Sequence, residues 1–127
     1  MPGAPMGAPR QTQRDRWKKR PVVVKYHAWR DHLRLCVRQQ IGSLPPAEKV
    51  VKFNMLAVFE PPPSWSQKKR AASIGQLHRQ KPDIDNVFKA AGDTLFDEDC
   101  AIACGTFKKV WGNQAKLIIE IHFETED

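Results

Sequence analysis

Residues 115–124 alternate: Leu117, Ile119, Ile121 and Phe123 fall on one side, with Ile118, Glu120, His122 and Glu124 between them. A period of two over that length is a β-strand with one buried face. Such a strand needs hydrogen-bonding neighbours and a layer to cover its apolar side, so the chain must build a sheet and pack something against it. Val50 to Phe59 supplies a second strand, apolar on both faces as a strand inside a sheet is. Residues 101–111 read as a third, joined to the alternating strand around the turn Gly112-Asn113-Gln114.

The covering layer is helical. Tyr26, Trp29, Leu33, Cys36 and Val37 recur at helical spacing through Gln40, with Arg30, Arg34 and Arg38 four apart on another face. Gly42 and Pro45-Pro46 end that helix. Beyond Pro61-Pro62-Pro63, Ser64 can cap a short basic helix carrying Lys68, Lys69 and Arg70, which Gly75 interrupts. Pro82 biases its predecessor toward extended geometry, and Asp85 or Asn86 can cap a helix through Val87, Phe88, Ala90, Ala91 and Leu95. The fold class expected is α+β: a small, mostly antiparallel (mixed) sheet packed with two to three helices. Residues 1–21, with Pro2, Pro5, Pro9 and Pro21, read as an extended or mobile basic arm, and 22–127 as a single domain.

Charge is segregated along the chain. Residues 1–80 hold 16 Lys and Arg against 4 Asp and Glu, whereas residues 81–127 hold 5 against 10. A basic half suits a polyanion, because each phosphate neutralised releases condensed counterions. The acidic part would repel that polyanion unless a cation sits between them. Arg10, Arg14, Arg16, Lys18, Lys19 and Arg20 of the arm, together with Lys68, Lys69, Arg70 and Lys81, are the candidate phosphate contacts; a solvated surface is the plainer reading of each. Trp17 and Trp65 lie among these basic residues, where an aromatic ring either stacks on an unpaired base or packs, while Trp29 continues the apolar stripe of its helix.

No signal-peptide core or membrane-length apolar run is present, and Cys36, Cys100 and Cys104 form neither a disulfide framework nor a zinc pattern, so a reduced cytoplasmic protein is expected. Nor is there a nucleotide-cradling glycine loop.

The acids carry the chemistry. Asp83 and Asp85, two apart in a stretch read as extended, should point the same way, with Lys89 and then Asp93 following at four-residue steps. Asp97, Glu98 and Asp99 come after the helix, before a strand that can bring one of them back to the pair. Two carboxylates ~4 Å apart repel by ~4 kcal/mol at an effective dielectric near 20, so such a site needs a divalent cation, a lysine or a raised pKa. Oxygen-only ligands suit Mg²⁺, with Mn²⁺ able to substitute. Taken alone, Asp-x-Asp reads as readily as a helix cap plus a solvated acid, and His78 is a further group that can approach a phosphate or simply pack.

The run Lys81-Pro82-Asp83-Ile84-Asp85-Asn86-Val87-Phe88-Lys89-Ala90, followed by Asp93, Leu95 and Glu98-Asp99-Cys100-Ala101-Ile102, resembles the signature block of the RusA-type Holliday-junction resolvases. Pro63-Ser64-Trp65-Ser66 with Lys68-Lys69-Arg70, and Gln13-Arg14-Asp15-Arg16-Trp17, are similar to segments of phage-borne members. The resemblance implies that Asp83, Asp85 and Asp99 are metal-binding catalytic aspartates and Lys89 the essential lysine. It also implies a Mg²⁺-dependent homodimer that resolves four-way junctions by paired, symmetric nicks, acting on the DNA of a bacterial host. Members usually open with a β-strand ahead of a Pro-Gly-x-Pro turn; this sequence opens at Met1-Pro2-Gly3-Ala4-Pro5, so that edge strand is expected to be absent or to lie upstream. Two rival functions stand beside this one: a nuclease of the same fold with another DNA substrate, and a non-catalytic DNA-binding protein.

Overall fold

The computed structural model describes residues 1–7, 21–96 and 101–124. A three-stranded sheet has β1 (Val50–Phe59) at its centre, β2 (Phe107–Trp111) on one side and β3 (Lys116–Phe123) on the other. Helices α1 (Pro21–Gln40), α2 (Gln67–Ser73) and α3 (Ile84–Leu95), with a short 3-10 turn at Ala47–Lys49, complete the described elements. The α+β class and the central position of β1 agree with the sequence reading.

The pairing is more mixed than expected. β3 runs antiparallel to β1, with Met55 opposite Ile119, but β2 runs parallel to it, with Met55 opposite Phe107. The two strands flanking Gly112 therefore do not pair with each other, because β1 lies between them. After Trp111 the chain crosses the end of β1, where the Gly112 N–H donates to the Phe59 carbonyl at 2.9 Å. A Cβ at Gly112 would collide with the Val58 side chain, so this crossing needs glycine. Residues 101–106 are not strand; they approach β1 through Phe53 N–H to Cys104 O (3.0 Å) and through Thr106, whose N–H (3.1 Å) and Oγ1 (2.8 Å) both bond Asn54 Oδ1.

The helix-facing row of β1 is Phe53, Met55 and Ala57, joined across the sheet by Leu117. Tyr26, Trp29 and Leu33 of α1 and Val87, Ala90 and Ala91 of α3 close the core over that row, with Phe88 and Phe96 edge-on to Phe53 at 5.7 and 5.9 Å. Trp29 is core, as its place in the stripe predicts. α1 begins at Pro21 rather than near Tyr26, since a proline at the first helical position lacks only an N–H that has no intrahelical partner anyway. Part of its basic stripe serves the fold. The Arg30 guanidinium donates to Thr94 Oγ1 at 3.0 Å and the Asp93 carbonyl at 3.3 Å, and Arg34 pairs with Asp31 at 3.3 Å.

Of the stretch read as an extended or mobile arm, the first seven residues are docked on the sheet. Met1 and Leu117 exchange backbone bonds of 2.7 and 2.8 Å, Gly3 N–H reaches Ala115 O at 2.9 Å, and Pro5 is buried. This places Met1 to Gly3 on the outer edge of β3 near Lys116, supplying a short edge pairing after all. Arg10, Arg14, Arg16, Trp17, Lys18, Lys19 and Arg20 lie outside the described residues. α2 is capped by Ser66, whose hydroxyl accepts from Lys69 N–H at 3.1 Å; Ser64 lies too far upstream for that role, because the helix begins at Gln67. Among the described residues no helix is long and apolar enough to cross a membrane.

Candidate active site

α3 starts two residues earlier than its sequence suggested. Asp83, with φ −64° and ψ 145°, is the residue before the first turn, and Asp85 lies within that turn rather than in an extended stretch. Pro82 restrains Lys81, on its N-terminal side, and leaves Asp83 able to begin a helix: its carbonyl accepts from Asn86 and Val87 N–H, both at 3.1 Å. The Asp83 carboxylate makes no cap hydrogen bond, while Asp85 Oδ1 accepts from Asn86 N–H at 3.0 Å. Both side chains are exposed at the helix end where the backbone dipole favours negative charge. Lys89, also exposed, follows one turn after Asp85, and Asp93 one turn after that, so the three share a face.

Opposite this helix head, β2 and the segment before α3 form the walls of an open groove of about 730 Å³, lined by Lys81, Asp83 and Asp85 together with Gln80, Phe107 and Lys109. Residues 75–78 hold to the outer edge of β2 through Gly75 N–H to Trp111 O (2.9 Å), Trp111 N–H to Gln76 O (3.0 Å) and His78 N–H to Lys109 O (2.9 Å). His78 is only 5% exposed, its ring between Phe59 and Trp111 with centroids 4.4 and 4.0 Å away. It packs instead of reaching for a phosphate. Burial, and secondarily the Lys109 charge, push its pKa below the ordinary value for histidine.

Lys109 is the residue that sequence reasoning missed. Its register partner Ala57 belongs to the helix-facing row of β1, so Lys109 points to the same side as the helices, in line with Phe107 and Trp111. Its ammonium donates to the carbonyls of Gln80 and Pro82, both at 2.5 Å. Burial lowers its pKa, and the Asp83 carboxylate acts in the opposite sense. The signal was present in Phe107-Lys108-Lys109-Val110-Trp111: two adjacent lysines in a strand must face opposite sides, so one of them faces the helices.

Of the expected metal ligands, the described residues bring Asp83 and Asp85 to one groove; Asp99 lies outside them, as do Asp97, Glu98 and Cys100. Among the described residues no three carboxylate, imidazole or thiol groups converge. Lys68, Lys69 and Arg70 stand exposed on α2, a helix with no buried residue. Trp65 anchors it: Lys69 Nζ lies 4.1 Å over its ring, and the ring packs against Trp111 at 5.0 Å. The aromatic ladder Trp65, Trp111, His78 therefore ties the basic helix to the wall of the groove. Cys36 and Cys104 are unpaired thiols.

Against known proteins, a family model described as Endodeoxyribonuclease RusA matches residues 2–122. Comparison with curated proteins and with solved structures returned no match.

Proposed function

The chain belongs to the RusA endodeoxyribonuclease family, DNA hydrolases that cut Holliday junctions, and from that premise we propose that it cuts at the head of α3, with Asp83, Asp85 and Asp99 holding Mg²⁺. The observation that carries this reading is the pair of exposed carboxylates at one helix N-terminus, facing a groove that is also lined by Arg79, Lys81, Lys108 and Lys109. The donor chemistry fits a hard cation. Both groove carboxylates offer oxygen, and the nearby imidazole of His78 is enclosed between two aromatic rings. When bound, the cation would let carboxylates and phosphate share one site and would activate the attacking water. Lys89, on the same helical face as Asp85, adds a fixed positive charge for the scissile phosphate.

Branched DNA is the substrate the family implies. Phosphate contacts are assigned to Lys68, Lys69 and Arg70 on α2, to Lys81, and to Arg10, Arg14, Arg16, Lys18, Lys19 and Arg20. Two observations support the assignment. The aromatic ladder joins α2 to the groove, and Gly7, the last described residue before the basic segment, lies against Asn86 and Pro82. Resolving a four-way junction takes two cuts in opposed strands, so a two-fold homodimer is the assembly proposed. Its place of action would be the DNA of a bacterial cytoplasm.

A gel assay of four-way junction, fork and linear duplex tests the reading. Junction cleavage is expected with Mg²⁺ or Mn²⁺, little or none with Ca²⁺, and none with EDTA. Full activity in EDTA would refute the metal site, and equal cutting of all three substrates would refute junction selectivity.

A further inference from the structure

We propose that Lys109 is a positioning residue for the cleavage reaction, its ammonium clamping the carbonyls of Gln80 and Pro82 so that Asp83 is held at the head of α3. The inference rests on the reading of Asp83 as a catalytic ligand. A lysine on the helix-facing side of a sheet loses hydration, and a hydrophobic residue between Phe107 and Trp111 would avoid that cost. What the lysine makes there is specific: two bonds of 2.5 Å to carbonyls on either side of Lys81, the second belonging to the residue directly before Asp83.

The same residue also holds the other end of this connection, since its backbone carbonyl accepts from His78 N–H at 2.9 Å. Between these attachments Arg79, Gln80 and Lys81 are exposed, and the bond from Gln80 N–H to His78 Nδ1 is long, at 3.4 Å. An ammonium has three N–H groups, and two are engaged by the carbonyls. The Asp83 carboxylate is the anionic neighbour that acts on its charge. Without the clamp, two carbonyls lose their donor, and the segment leading into Asp83 keeps the long imidazole contact from Gln80 and the packing of Gly7 on Pro82.

The test is single-turnover cleavage of a synthetic four-way junction across a Mg²⁺ series, using Lys109→Met, Lys109→Gln and Asp83→Asn in the full chain. Gel-shift binding in Ca²⁺ and thermal melting are measured alongside. Folded Lys109→Met should show a maximal rate lower by about 10-fold or more and a higher Mg²⁺ requirement, in the range typical when a residue that orients a metal ligand is lost, with junction affinity unchanged. Lys109→Gln, whose uncharged amide stands one atom closer to the backbone and so does not reach both carbonyls, should be slowed in the same direction and serves if the methionine variant does not fold. A merely structural lysine would lower the melting temperature and leave the rate and Mg²⁺ midpoint of the folded protein at wild-type values; that result in either variant overturns the inference. Asp83→Asn separates the two failures. If it cuts normally, the assignment of the site is wrong; if it is silent while the Lys109 variants cut normally, only the role of Lys109 is wrong.

Discussion

Lys89 sits on the exposed face of α3 one turn beyond Asp85, where its charge can act on a phosphate held at the helix head. Replacing it with alanine should slow single-turnover cleavage by on the order of 10²-fold, as loss of other preorganised charges does, with little effect on folding. A folded Lys89→Ala enzyme cutting at the wild-type rate would make this lysine a simple surface residue. His78 has a different consequence. Its folded pKa lies below the ordinary value, so the unfolded chain takes up the proton first as pH falls, and stability is lost from about pH 6.5 downward through the folded pKa. His78→Phe removes that titration, so its melting temperature should fall less than wild type between about pH 8 and about pH 5. Equal slopes would assign the acid sensitivity to other groups. That Asp83, Asp85 and Lys89 would lie close together at one helix end was legible in the sequence because their spacing is local. Lys109 was not, because its task depends on the face it occupies in β2 and on carbonyls of a segment 27 to 29 residues away.

Strand existence is local information, whereas strand partnership is not. The alternation through Leu117 and Phe123 identified β3, and the two-sided apolar character of β1 identified a central strand, yet neither said that β1 would separate β2 from β3. That arrangement depends on the approach of Gly112 to Val58 across the sheet end. Gly112→Ala should destabilise the protein by about 1–3 kcal/mol, the usual cost of overpacking, read as a lower urea midpoint at unchanged m. Val58→Ala also removes buried methyl groups, but in the double variant it makes room for the new Cβ, so the two costs should sum to less than their separate values. Strict additivity would show that Val58 does not set the requirement for glycine. Helix starts were misplaced for similar reasons. Pro21 and Asp83 are compatible with both helix and loop, and only the packing of α1 and α3 on the sheet decides between them.

At the scale of the molecule, the basic and acidic parts of the sequence meet at one groove: Asp83 and Asp85 stand on the helix head, Lys109 lies in the opposite wall, and α2 carries its lysines on the same aromatic ladder. In the function proposed above, the exposed cations of α2 and Lys81 bind DNA and the acids cut it, so the two functions should be separable by substitution. With the single cutting site proposed for each chain, symmetric resolution also calls for the homodimer proposed above. The most direct measurement is mapping cuts on all four end-labelled strands of a mobile four-way junction in Mg²⁺, for the wild type and for Asp83→Asn, with binding of each read by gel shift. The wild type should place paired nicks symmetrically in two opposed strands. Asp83→Asn should bind the junction as well or better and leave every strand intact, since losing a carboxylate removes repulsion from phosphate. Wild-type cutting by Asp83→Asn, or unpaired nicks scattered over all four strands by the native protein, would contradict the account.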